Sequence, residues 1–437
     1  MSHNRRTFLR RAAVSSAVPF IGTWARPVLA AADRVQIACI GVGGKGESDM
    51  LETATGNAVV AICDVDKDRL DKAAARFPNA RKYTEWRKLL EQKDIDAVTV
   101  STPDHTHAPA SMAAIRLGKH VYTQKPLTHS VYEARKLSEA AAMQGVVTQM
   151  GIQHHATARL KIAVKTVQDG VIGKVSEVHT WTDRPGNYWQ QGLTRPDKSD
   201  PVPANLEWDQ WLGVAPARPF VQGLYHPFHW RGWWDFGTGA LGDMGCHILD
   251  PVVQALDLKA PSVITAEGPP PHPDSGPQWC IVHWEFPGTR YTTEQLRLHW
   301  YESGKQPPRE IFKAPADWKG SLNGVLFIGE KGNLFVGFPE MPELFPREQF
   351  AGHKFPELQD HNHYLQWTNA ILGKEKVSCP FSYSGPLTET VLLGNVAYRT
   401  GKRIAWDTKT LQAQGVPQAD PFIKRAYRQG WETAGLS

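Results

Sequence analysis

The sequence predicts two joined architectures: an N-terminal α/β part built on a doubly wound parallel sheet, then an α+β domain with a large, mostly antiparallel sheet. Three observations predict this. Strand-like and helix-like runs alternate between residues 34 and 151. The first strand runs straight into a glycine-rich turn, Gly41-Val42-Gly43-Gly44-Lys45-Gly46. After residue 152 the alternation gives way to longer strand-like runs separated by loops rich in Trp and Pro.

The elements follow in order. RVQIACIGV is a short apolar strand, and NAVVAICDVD is a second. DKDRLDKAAARF reads as a polar helix. DIDAVTVSTP is a strand ended by Pro103, and APASMAAIRLGK is a helix that stops at Gly118. HVYTQKP is a strand, SVYEARKLSEAAAMQG a helix closed by Gly145, and VVTQMG a strand. ATARLKIAVKTVQDGVIG then reads as one amphipathic helix. KVSEVHTWTD, PQWCIVHWEF and GVLFIGEKGNLFVG are strands, the last with a hairpin turn at Glu330–Gly332. SYSGPLTETVLLGNVAYRTGKRIAWD supplies a closing helix and a short strand. The expected organisation is a signal at 1–32, a nucleotide-binding domain at 33–152 and an α+β substrate and oligomerisation domain at 153–437.

The first 32 residues read as a twin-arginine export signal. Arg5, Arg6, Arg10 and Arg11 precede an apolar run at 12–25, and RPVLAAAD offers small residues for cleavage after Ala32. The run is about 14 residues, short of the roughly 20 that span a bilayer, and Pro19 interrupts it. The expected partner is therefore the twin-arginine translocation machinery and the expected location the periplasm, with no stable membrane insertion. Removing five arginines leaves 44 basic residues, 49 less five, against 44 acidic ones. That balance gives no nucleic-acid footprint. The cysteine count is odd, and Cys39, Cys63 and Cys280 lie in apolar runs, the pattern of buried thiols from a reducing compartment.

The glycine-rich turn fits G-x-G-x-x-G and sits where that motif has physical meaning, after a strand and before a helix. Gly41 permits the turn, Gly43 lets backbone approach a pyrophosphate, Gly46 allows close helix–strand packing, and Val42 and Gly44 complete the cradle. The helix N-terminus attracts phosphate. Asp64 ends the second strand, where an acid accepts hydrogen bonds from ribose hydroxyls and repels a 2′-phosphate. The reading is a Rossmann domain for NAD in preference to NADP.

Two further clusters are candidates for the chemistry. TPDHTHAPAS and TQKPL lie at the C-terminal ends of consecutive parallel strands, where ligands bind in such sheets. Thr102, Pro103, His105, Lys125 and Pro126 are accordingly expected to line the cofactor, with His107 beside them, and Lys125 to act near the nicotinamide. In YHPFHWRGWWDFGTGALGDMGCHILD, Asp243 and His247 are four apart and share one helix face. A histidine there can take a hydroxyl proton, and the carboxylate can orient it or grip a second hydroxyl. Ten of the 16 tryptophans fall between Trp181 and Trp300. Most suit core packing, but flat aromatic faces also suit sugar rings. Arg231, His226 and Trp234 are expected at the substrate, and His154 and His155 along the cleft. His361 and His363, flanked by Asp360 and Asn362, are expected on a surface or domain-contact helix; none of these groups has zinc-motif spacing, so no metal is expected.

Taken together, IGVGGKG, ICDVD, STPDHTHAPASMAAIRLGKHVYTQKPL and the Asp-x-x-x-His of GDMGCH resemble the glucose–fructose oxidoreductase/inositol dehydrogenase (Gfo/Idh/MocA) family over most of the chain, with an exported bacterial branch in the W-W-D-F-G-T-G run. The resemblance implies that Lys125, Asp243 and His247 act at the substrate, with His247 as proton acceptor. Gln124 departs from the family's usual Glu. It also implies a small carbohydrate or cyclitol substrate, and a homodimer or homotetramer paired through open sheets. Three activities are compatible: an NAD-dependent dehydrogenase, a redox-neutral glycoside hydrolase working through a transient keto-sugar, and a non-catalytic binding protein.

Overall fold

The computed structural model describes residues 34–437 except residue 339, so the twin-arginine stretch lies outside the described residues. Short Val-, Ile- and Ala-rich runs, each cut by Gly, Pro or Asp, form strands buried on both faces. They alternate with helices: β1 (Gln36–Ile40), α1 (Lys45–Thr53), β2 (Ala58–Cys63), α2 (Lys67–Arg76), β3 (Arg81–Tyr83), α3 (Trp86–Leu89), β4 (Ala97–Val100), α4 (Asp104–Arg116), β5 (His120–Gln124), α5 (Val131–Gln144) and β6 (Thr148–Gly151). The sheet order is β3-β2-β1-β4-β5-β6, with every pairing parallel. The order reverses between β1 and β4, and their C-terminal ends open a crevice there. β3 and α3 escape a sequence reading: Arg81–Tyr83 is a polar, exposed edge strand with no apolar signal.

The second part contains α6 (Ala158–Gln168), β7 (Val175–Trp181), α7 (Trp208–Leu212), α8 (Gly239–Leu256), β8 (Val263–Glu267), β9 (Ile281–Pro287), β10 (Thr292–Tyr301), β11 (Gly324–Gly329), β12 (Asn333–Gly337), β13 (Glu343–Phe345), α9 (His363–Ile371), α10 (Phe381–Thr400), β14 (Ile404–Asp407), β15 (Gln412–Ala413) and α11 (Asp420–Ile423). Nine strands form one sheet, β13-β12-β11-β7-β10-β9-β8-β14-β15. Only β7 and β10 pair in parallel. Alternation decides its faces. Val282, Trp284 and Phe286 of β9 and Leu296, Leu298 and Trp300 of β10 join the core that holds Leu241 and Ile248 of α8 and Val391 and Val396 of α10.

The chain crosses back to the parallel sheet twice. Tyr364 and Trp367 of α9 enter the apolar cluster of Ile37, Val59 and Ile62. The tail beyond β15 follows: Tyr427 Oη donates to Glu133 Oε1 at 2.7 Å, and the Arg87 guanidinium stacks 4.0 Å from the Trp431 ring. All five cysteines are free and buried. Among the described residues, no helix is long and apolar enough to cross a membrane.

Candidate active site

A cavity of ≈ 630 Å³ opens at the reversal point, from the glycine-rich turn at one end to α8 at the other. Gly41 has φ of 79°, and a Cβ there would sit 2.6 Å from the Ser101 carbonyl oxygen. Only glycine fits both conditions. At Gly46 a Cβ would overlap the Gly41 carbonyl oxygen, so this residue sets how closely α1 approaches β1. Gly44 caps α1 without any side-chain hydrogen bond; the Gly46 N–H bonds the Gly43 carbonyl at 3.1 Å, and the helix N-terminus at the cavity edge favours a phosphate. Gly41, Gly43 and Gly44 line the cavity; Val42 lies behind it, its N–H donating to Asp64 Oδ2 at 2.9 Å. Asp64 also accepts from the Asp66 N–H at 3.0 Å, and burial raises its pKa above the usual carboxylate value. These features fit a dinucleotide: a glycine-rich turn at a helix N-terminus, and an acid held rigidly at the end of β2.

One buried carboxylate missed by the sequence reading supports this end. Asp49 of α1 accepts four hydrogen bonds, from Lys45 Nζ (2.7 Å), Tyr364 Oη (2.9 Å), Ser101 Oγ (2.7 Å) and Gln124 Nε2 (2.7 Å). It ties α1, the end of β4, the end of β5 and α9 together. Position 124 therefore needs a donor facing Asp49, and Gln124 supplies an amide where a glutamate would set two carboxylates against each other.

At the other end Lys125 Nζ donates to Asp243 Oδ1 at 2.8 Å and to the Asp243 carbonyl at 2.7 Å. Arg231 Nε reaches the same Oδ1 at 3.3 Å. Against the cost of its burial, Lys125 and Arg231 hold the Asp243 carboxyl well below the usual range. His247, one turn along α8, is half-buried at the cavity wall, and its buried Nδ1 has no hydrogen-bond partner among the described residues. Burial, then the charge of Lys125, push its pKa well below the usual imidazole value, so the ring is neutral. His154 stands 5.3 Å from it, ring to ring, with Arg159 Nη2 donating to His154 Nδ1 at 2.8 Å. Asp104, also overlooked in the sequence, completes the group: it lines the cavity, takes the Thr238 hydroxyl at 2.7 Å, and burial raises its pKa to about 7.

Several expected residues stand elsewhere. His105 is turned away from the cavity, its ring nitrogens 3.0 and 3.3 Å from the carbonyls of Trp211 and Phe236. His105 lies in the first turn of α4, which begins at Asp104, and its ring is buried there against Trp211 and Phe236. Trp234 is also behind the wall, donating Nε1–H to the His272 carbonyl. Trp230 lines the cavity instead, with Tyr188 and Phe228. His155 turns into the core against Asp250 at 2.9 Å. Thr102 and Pro103 line the cavity; Pro126, joined to Lys125 by a cis peptide, lies just outside it. His226 reaches Asp66 at 3.2 Å. The 361–363 histidines separate: His361 is exposed, and His363 Nε2 meets the Met150 carbonyl at 2.9 Å.

Comparison with known proteins decides the family. Residues 35–152 match the profile of the Gfo/Idh/MocA oxidoreductases for their NAD-binding Rossmann fold, and residues 157–290 match that of their C-terminal α/β domain. The chain belongs to this family. A levoglucosan dehydrogenase of Pseudarthrobacter phenanthrenivorans is 25% identical over 43% of this chain and 40% of its own length. A glycosyl hydrolase family 109 protein of Saccharopolyspora erythraea is 29% identical over 33% of this chain and 34% of its own. The chain thus aligns with well under half of these Gfo/Idh/MocA relatives. The WlbA dehydrogenase of Chromobacterium violaceum, solved with NADH and UDP-GlcNAcA, shares the fold at a TM-score of 0.61, with 16% identity over 86% of this chain and 97% of that one.

Proposed function

We propose that this Gfo/Idh/MocA protein is an NAD-dependent oxidoreductase acting on a hydroxyl of a sugar, cyclitol or glycoside. The observation that carries the reading is the meeting of Lys125, Asp243, Arg231 and His247 at one end of a cavity whose other end is the glycine-rich turn and Asp64. Bound NAD supplies the hydride acceptor; Gly41, Gly43, Gly44 and Asp64 are the residues that would hold it. Neutral His247 lines the cavity and accepts the proton of a substrate hydroxyl. Asp243, ionised beside it, stabilises the imidazolium. Lys125 spends two N–H groups on Asp243 among the described residues, and its third is free to fix the substrate oxygen. Arg231, stacked 4.1 Å from Phe228 and 4.3 Å from Trp230, offers a polar edge among aromatic faces, a combination suited to a pyranose or cyclitol ring.

The test is NADH formation with a panel of sugars, cyclitols and glycosides. Lys125→Ala and His247→Ala should each lower turnover at least ~100-fold, the scale of acid–base catalysis. Unchanged turnover in both variants removes the assignment.

A second reading is supported by the stretch NRRTFLRR and by the family 109 relative. The twin-arginine route exports folded proteins, so a periplasmic Rossmann protein would carry its nucleotide out and restore it in each turnover. The corresponding activity is redox-neutral glycoside hydrolysis. It shows no net NADH and exchanges substrate C–H with solvent deuterium, whereas the dehydrogenase accumulates NADH. A homodimer or homotetramer is proposed alongside either reading.

A further inference from the structure

A second cluster of chemically competent side chains lies on the large sheet, on the face turned away from α8 and α10. Val178, Leu298 and Val282 point into the core beneath those helices, so their neighbours His179, His299 and His283 point the other way. Register sets the three side by side: His179 of β7 pairs with His299 of β10, which pairs with His283 of β9. Glu177, two residues before His179, shares their face.

The contacts assign the ring protons. Glu267 Oε1, 3.1 Å from His283 Nε2, only accepts, so His283 carries its proton on Nε2. Its Nδ1 then accepts from His299 Nδ1, 2.5 Å away. This leaves His299 Nε2 with a lone pair. That atom is buried, 3.0 Å from Glu177 Oε1, and makes no hydrogen bond. His179 Nε2 lies 3.0 Å from the same oxygen, while its Nδ1 stands 3.1 Å from the Tyr301 hydroxyl. The Tyr301 phenol oxygen can accept the His179 Nδ1–H. Glu177 Oε2 is engaged by Arg297 Nη2 at 2.7 Å. Two imidazole nitrogens and one carboxylate oxygen converge, all within 4.8 Å of one another. Lone pairs facing a carboxylate call for a cation between them. Tetrahedral bonds of about 2.0–2.1 Å place ligand atoms about 3.3 Å apart, close to this spacing.

We propose that Glu177, His179 and His299 form a binding site for a first-row transition-metal dication of the zinc class, with His283, Glu267 and Tyr301 orienting the ligands. Nitrogen donors disfavour Mg²⁺ and Ca²⁺, and His₂-carboxylate sets suit Zn²⁺ with water in the fourth position. Hydrogen-bonded outer partners that fix the histidine tautomer are the usual companions of such ligands. The site stands apart from the cavity that carries the proposed reaction, so its role is to pin β7, β10 and β9 together.

The test is calorimetric titration of chelator-treated full-length protein with Zn²⁺, repeated with Co²⁺ and read by its absorption. One ion per chain is expected. Glu177→Gln and His299→Asn should each weaken binding by roughly 100-fold or more, and His283→Ala by roughly 10–100-fold, the range for outer partners. NAD binding in each variant reports that the chain is folded. Absence of saturable binding in the wild type overturns the proposal and leaves a Glu177-bound imidazolium pair. Binding unchanged in folded Glu177→Gln and His299→Asn overturns it too, as an ion held elsewhere.

Discussion

At the residue scale, what could be read in advance was what the chemistry of neighbouring residues imposes. Asp243 and His247 meet on one helix face because their spacing allows nothing else, and Lys125 reaches them from the end of β5. His105 and Trp234 face away from the cavity because contacts with distant chain, the Trp211 and Phe236 carbonyls for one and the His272 carbonyl for the other, set their direction, and no local pattern shows these. Asp104 was missed for a related reason: its importance is its burial, which raises its pKa to about 7. The sign of its effect follows. The folded state holds this proton more tightly than the unfolded chain, so the stabilisation is complete below about pH 4 and is lost as pH rises through 7. Glu302, buried with the Trp300 N–H and raised to about 8, acts in the same direction. Each group contributes a slope of at most about 1.4 kcal/mol per pH unit. Asp104→Asn should therefore flatten the fall in stability between pH 5 and 7, leaving the part due to Glu302. Urea midpoints at several pH values check this, and an unchanged slope would contradict it.

At the element scale, the strands and helices of the first sheet were legible because glycine, proline and aspartate punctuate short apolar runs. β3 was not, because an edge strand needs no apolar residues. The approach of α1 to β1 was legible through the third glycine of the turn, and the structure shows what that closeness demands. A methyl at Gly46 would meet the Gly41 carbonyl oxygen, a backbone atom that cannot swing aside. Gly46→Ala should destabilise the chain by about 1–3 kcal/mol, the usual cost of overpacking, and weaken NAD binding by tilting α1 away from the phosphates. Thermal melts with and without NAD separate the two effects. Retained stability together with retained NAD affinity would show that α1 can shift without opening the cradle.

At the scale of the whole molecule, the change of texture at residue 152 correctly announces a second sheet but conceals how the chain returns to the first. Nothing local in HYLQWTNAI says that Tyr364 will hydrogen-bond Asp49 or that Trp367 will fill the core beside Ile37 and Val59. Such contacts span more than 300 residues of sequence and exist only once both sheets are in place. Ser138 Oγ donates to the Phe381 carbonyl at the start of α10, and Tyr427 holds Glu133, so α5 also depends on the distant chain. Residues 34–152 therefore lack part of their own core. Expressed alone, this segment should fail to form a rigid domain, because removing Trp367 and Tyr364 opens cavities of the kind that cost about 3–5 kcal/mol per large aromatic, against a total stability of about 5–15 kcal/mol. An amide NMR spectrum of the fragment decides the matter: collapsed, broad resonances are expected. Sharp dispersed signals with NAD affinity equal to that of the full chain would mean that the parallel sheet is self-sufficient and that α9 only rests on it. The same dependence should make the intact chain unfold in one transition, because the glycine-rich turn is buttressed from α9 through Asp49; calorimetric and van't Hoff enthalpies that disagree would contradict it.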